Sequence, residues 1–286
     1  MSLRINTNID ALTAYRNLTS TQSSMSTSVE RLSSGLRINK AADDAAGLAI
    51  SQGLTAQING TGQAVRNAQD GINVVQTADG ALSETQSILQ RVRTLTVQGA
   101  NDSNDSAAKG NIVTEIGQLS KELDRIANTT EFNGNKILSG SANLHFQIGA
   151  RSVTNQAGNQ LNIDLTKTGT NKVDLSGSAL LGAAANLKGS DDATTWSNAL
   201  DDLDKGLQNV STLRANLGAY QNRLQHTINN LSVTQTNLQA SNSAIQDTDM
   251  ASEMSNYTRT QILSQAGTSM LSKANQNAQS VLSLLQ

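Results

Sequence analysis

Ala11-x3-Tyr15-x2-Leu18-x3-Gln22-x2-Met25-x3-Val29-x2-Leu32-x3-Leu36 alternates steps of four and three, with one polar member. That spacing returns a side chain to the same stripe of a helix every two turns, the seam of a coiled coil. A lone helix with such a seam buries nothing, so this one needs a partner helix. The same period recurs further along. From Asp44 to Gln98 a stripe runs through Leu54, Ile58, Val65, Ala68, Ile72, Val75, Leu82, Leu89 and Val92, with no proline anywhere in the chain. Glycines 53, 60, 62, 71 and 80 each weaken that helix by up to about 1 kcal/mol, so it too depends on neighbours.

Asn101-Asp-Ser-Asn-Asp-Ser106 is a turn and helix-start signal, and Ile112, Ile116, Leu119, Leu123 and Ile126 resume the four-three step behind it. Then the period is lost. Asn133-Gly134 supplies the positive φ angles of a tight hairpin. From Lys136 to about Ser190 the chain favours short strands, with Leu144–Ile148 and Leu161–Leu165 alternating. Helical spacing returns at Trp196 and runs through Leu203, Val210, Leu217, Leu224 and Leu238. A final segment carries Met250, Met254, Tyr257, Leu263, Met270, Val281 and Leu285.

The expected fold is therefore mainly α: long coiled-coil-like helices from both chain ends packed as a rod, with a small β-rich middle region. The boundaries divide it into a terminal core of residues 1–43 plus 242–286, a helical part of 44–135 plus 196–241, and a variable stretch of 136–195. Charge supports pairing the ends. Residues 1–42 hold Arg4, Arg16, Arg31, Arg37 and Lys40 against Asp10 and Glu30, whereas 243–286 hold Asp247, Asp249 and Glu253 against Arg259 and Lys273.

Composition narrows the chemistry. The 286 residues include no cysteine and only 2% aromatics, which removes thiol nucleophiles, disulfides and zinc–thiolate sites and argues against a thick globular core. A formal charge of −2 gives no nucleic-acid surface. No apolar run is long enough for a membrane span, and the start has no apolar stretch behind a basic cluster, so neither membrane insertion nor a cleavable signal peptide is expected. His145 and His226 stand apart without motif partners. Gly60-Thr-Gly62 lacks the strand and third glycine of a dinucleotide fingerprint, and Asp43-Asp44 reads as a solvated helix start. An enzyme is not expected, and neither is a cofactor or a metal.

Several stretches resemble a known family. Ile5-Asn-Thr-Asn8, Leu32-Ser-Ser-Gly-Leu-Arg-Ile-Asn39, Ala41–Ser51, Gln90-Arg-Val-Arg93, Glu131–Asn135 and the tail from Ile245 to Gln286 closely resemble bacterial flagellin. The match covers roughly residues 1–150 and 195–286, and the short middle resembles a form lacking large outer domains. The resemblance implies a structural subunit that self-assembles into the extracellular flagellar filament. It implies partners as well: other flagellin subunits, a flagellar export chaperone, the type III export apparatus, and the filament cap and hook-junction proteins. A host Toll-like receptor is implied to sense the monomer through Gln90, Arg91, Leu95 and Glu115. The apolar tail Val281, Leu282, Leu284 and Leu285 is implied to serve terminal assembly or chaperone contact. A hook–filament junction protein, which shares related terminal helices, is the alternative.

Overall fold

The computed structural model describes residues 8–139, 143–150, 158–165, 167–168 and 171–283. Its contacts divide the chain into two compact units, Met1–Ala56 with Asn237–Gln286, and Gln57–Thr236.

The first unit is built on α1 (Ile9–Ser34) and α6 (Met250–Ser283). Asn8 caps α1 by accepting from the Ala11 amide, and Gly35 ends it in the left-handed conformation at φ 74°. The helices run antiparallel. Asn8 Nδ2 donates to the Ala274 carbonyl, Ser264 Oγ to Gln22, and Arg31 lies 3.8 Å from Glu253.

Past Gly35 the chain forms a joint with the turn before α6. The Arg37 amide donates to Gln246, the Thr248 amide to Gly35, and Leu36 bridges Asp247. Leu36, placed on the seam by spacing alone, therefore lies beyond the helix. The acid pair is a helix start: Asp43 accepts from the amides of Asn39 and Lys40, and Asp44 from Gly47.

The second unit contains most of α2 (Ala45–Gly99) and α5 (Ala193–Gln246), with α3 (Ser106–Thr129) beside them. α2 and α5 are antiparallel within it, as Asp79 with Arg214 and Arg93 with Asp204 establish. Gly99 closes that pairing: a Cβ there would fall 2.3 Å from the Trp196 ring, so no larger residue fits. Leu82, Leu89, Val92, Leu123, Leu203 and Leu224 are fully enclosed in the core. Thr61, Thr85 and Thr96 are buried too. Each returns its hydroxyl to the carbonyl four residues back, which lets a Thr-rich chain bury these positions without an orphaned donor.

Among the described residues, three antiparallel strand pairs occupy the middle. β1 (Glu131–Phe132) and β2 (Asn135–Lys136) flank Asn133 and Gly134, whose φ angles of 50° and 77° make the expected turn. β3 (Asn143–Gln147) pairs with β4 (Gln160–Asp164), and β5 (Lys167–Thr168) with β6 (Asn171–Lys172). The expectation of strands up to Ser190 fails at its end. Ser176 caps a short helix, α4 (Gly177–Leu181), followed by a 3-10 turn at Gly182–Asn186. Leu180, Leu181, Ala184 and Leu187 recur at helical spacing there, and all are buried.

Candidate assembly and recognition surfaces

Surface side chains of α2 and α3 form the first candidate site. Gln90 and Arg91 are exposed on the opposite side of the same helical turn as the buried Leu89 and Val92. Arg91 reaches across to α3, where its Nε and Nη2 donate to one oxygen of Glu115 at 3.0 and 2.7 Å. Both partners stay about half exposed, so the pair adds little to the fold and remains open to another molecule. Leu95 is different. At 2% exposure it belongs to the core, beneath the face on which Gln90, Arg91 and Glu115 stand. Arg93 points to α5 and Asp204, and that ion-paired hydrogen bond holds the Asp204 carboxyl below its ordinary range while raising Arg93.

The second candidate site is the α1–α6 pair. The inward stripe on α1 is the half-buried Ala11, Ala14, Leu18, Thr21, Met25 and Leu32 with the buried Ser28. It shares Ala11, Leu18, Met25 and Leu32 with the stripe read from spacing but replaces Tyr15, Gln22 and Val29 by smaller neighbours. The reason is steric: Ala14, Thr21 and Ser28 let the helices approach closely. Opposite them stand Glu253, Tyr257, Thr260, Ser264, Gly267, Leu271 and Ala274, again in four-three steps. The larger apolar side chains are left outside, among them Ile9, Leu12, Tyr15, Ile262, Leu263 and Met270. Choosing the bulkiest member of each turn hid this in the sequence, although the small residues carry the same period.

Val281 and Leu282 lie in the last turn of α6, where only the backbone is described, and Leu284 and Leu285 lie outside the described residues. His145 faces Asn162 across the β3–β4 hairpin. Among the described residues no cluster of His, Asp or Glu could hold a metal ion, and no helix is long and apolar enough to cross a membrane.

Comparison with known proteins gives these surfaces a context. Residues 5–143 match the family described as the bacterial flagellin N-terminal helical region, and residues 200–285 match the bacterial flagellin C-terminal helical region. The flagellin of Halalkalibacterium halodurans is 47% identical over 283 residues, 99% of each chain. The chain belongs to the flagellin family. The flagellin of Bacillus subtilis is 45% identical across 99% of this chain and all of its own, and a flagellar filament core protein of Treponema phagedenis is 41% identical across 99% of each. Flagellins are structural proteins that polymerise into the filament outside the cell, and they are not enzymes.

Proposed function

We propose that this chain is the repeating subunit of a flagellar filament serving swimming motility, and that its α1–α6 pair supplies the contacts between copies. The outward placement of Leu12, Tyr15, Ile262, Leu263 and Met270 carries the reading. A pair that sets small residues at alternate seam positions and leaves this many large apolar side chains in water gains further burial from neighbours. Export through the flagellar type III apparatus with a chaperone fits the same surface, because an apolar face must be shielded until it meets other subunits.

Removal of residues 282–286 tests this. Leu282, Leu284 and Leu285 extend the apolar series of α6, and burying one such side chain is worth about 1.5–3 kcal/mol. The truncated chain is expected to lose polymerisation, seen by electron microscopy and sedimentation, while its Trp196 fluorescence stays that of the folded unit. Limited proteolysis should trim both ends of the unpolymerised chain and spare them in the filament. Normal filaments from the truncated chain would refute the proposal.

Recognition of the monomer by a host Toll-like receptor is the second part of the reading. Gln90, Arg91 and Glu115 offer it an exposed polar face, with Leu95 fixing the helix from below. Arg91→Ala with Glu115→Ala should cut reporter-cell signalling at least tenfold, since truncating an arginine at the centre of an interface costs about 2 kcal/mol or more. Thermal unfolding should barely move. Unchanged signalling from a folded variant would make these residues structural.

A further inference from the structure

The pairing of small residues leaves a long depression along one side of the first unit. Between α1 and α6 lies a groove of about 530 Å³, floored by Ala14, Leu18, Thr21, Ala266 and Gly267 and edged by Asp10 and the two-thirds-exposed Met270. It exists because Gly267 has no side chain. The Leu18 methyl sits 3.2 Å from where a Cβ would be, so the helices touch there and the groove opens beside the contact.

The same stretch of α1 carries a ridge. Ile9, Leu12 and Arg16 follow one another at helical steps, and Ile9 and Leu12 are 54% and 47% exposed. At 100° per residue the ridge points roughly 100° or more round α1 from the groove. A copy therefore cannot lay its own ridge into its own groove. The ridge, two turns from Ile9 to Arg16, runs beside the first part of the groove, whose α1 wall reaches from Asp10 to Thr21, and the two features are complementary in charge. Asp10 stands at the groove's edge and Arg16 on the ridge, and neither has an ion-pair partner among the described residues.

We propose that the groove receives the Ile9–Leu12–Arg16 ridge of a second copy of this chain, with Arg16 of one copy placed against Asp10 of the next. The inference rests on the filament reading and adds the residues that meet. Ridge and groove are different surfaces of one molecule, so the contact is heterologous: each copy offers a free groove to the next, and the series propagates without closing. The apolar ridge supplies burial, and the single charge pair sets the register.

Charge exchange in the full chain tests it. Asp10→Arg and Arg16→Asp each place like charges at the contact, and each is expected to raise the critical concentration for polymerisation by about tenfold or more. The double variant should polymerise within about twofold of the unsubstituted chain, because every contact then holds the reversed pair. A 1:1 mixture of the single variants should also polymerise, since alternation gives each ridge an opposite groove. Circular dichroism and Trp196 fluorescence check that each variant is folded. Should either single variant misfold, Leu12→Gln reads the same contact from its apolar side, with the same loss expected.

Single variants that assemble normally would overturn the pairing, and so would a double variant or mixture that gains nothing. Groove capture of a different helical partner, such as an export chaperone, would appear as that first outcome together with lost chaperone binding. Failure of the unsubstituted chain to polymerise would instead defeat the filament reading itself.

Discussion

The two units solve the burial problem in opposite ways. In the second, Leu82, Leu89, Val92, Leu203, Leu217, Leu224 and Trp196 are sealed from water within a single chain. In the first, Ile38 is the one hydrophobic side chain buried among the described residues, and it sits at the joint, not on the α1–α6 seam. Both units are made of antiparallel helices with a four-three period, so periodicity does not separate them. Side-chain size on the internal face does. The α1–α6 pair alternates Ala, Thr, Ser and Gly with Leu18, Met25, Leu32, Tyr257 and Leu271 on its internal face and leaves Leu12, Ile262, Leu263 and Met270 facing outward, so it seals far less apolar surface within one chain.

The largest expected effect follows from that contrast. Trp196 is the only tryptophan and is wholly buried in the second unit, whereas circular dichroism reports both units. On heating the unpolymerised chain, helix signal should fall before Trp196 fluorescence changes, giving non-coincident transitions. Leu89→Ala removes a fully enclosed side chain and should destabilise the second unit by about 2–5 kcal/mol, read from the fluorescence transition. Leu18→Ala, on the half-buried seam, should leave that transition unmoved and shift only the early loss of helix. Coincident transitions would erase the distinction between the units.

Much of this architecture was legible in the sequence because proline-free four-three spacing admits few alternatives. The turn at Asn133-Gly134, the start at Asp44 and the long helices follow from local rules that tertiary packing did not override. What spacing could not decide was which of two adjacent stripes on α1 faces α6. Tyr15, Gln22 and Val29 lie one residue from Ala14, Thr21 and Ser28, and hydrophobicity favoured the wrong stripe for a reason that is itself functional. The short helix at Gly177–Leu181 escaped for another reason: five residues are too few for a period, and the Ser176 cap is legible only beside the buried Leu180 and Leu181. In the receptor-directed set, local spacing exposes Arg91 and Glu115, yet Leu95 could be assigned to the core only once α5 was in place against α2.

The smallest expected effect probes how little surface charge adds to a unit whose apolar core is already complete. Arg93 Nε donates to Asp204 Oδ1 at 2.7 Å, joining α2 to α5 across open solvent. That bond stabilises the ionised carboxylate, so the Asp204 pKa is lower in the folded chain than in the unfolded one. A depressed acid pKa contributes stability above the unfolded value and loses it as pH falls through the folded value. Asp204→Asn should therefore lower the Trp196 unfolding midpoint slightly at pH 7. The difference from the unsubstituted chain should shrink as pH drops through and below the ordinary carboxylate range. Raised salt at pH 7 should shrink it as well, because both partners are about half exposed. A difference that persisted at low pH and high salt would mean that Asp204 acts through packing, and that the core of the second unit is less self-sufficient than its sealed leucines indicate.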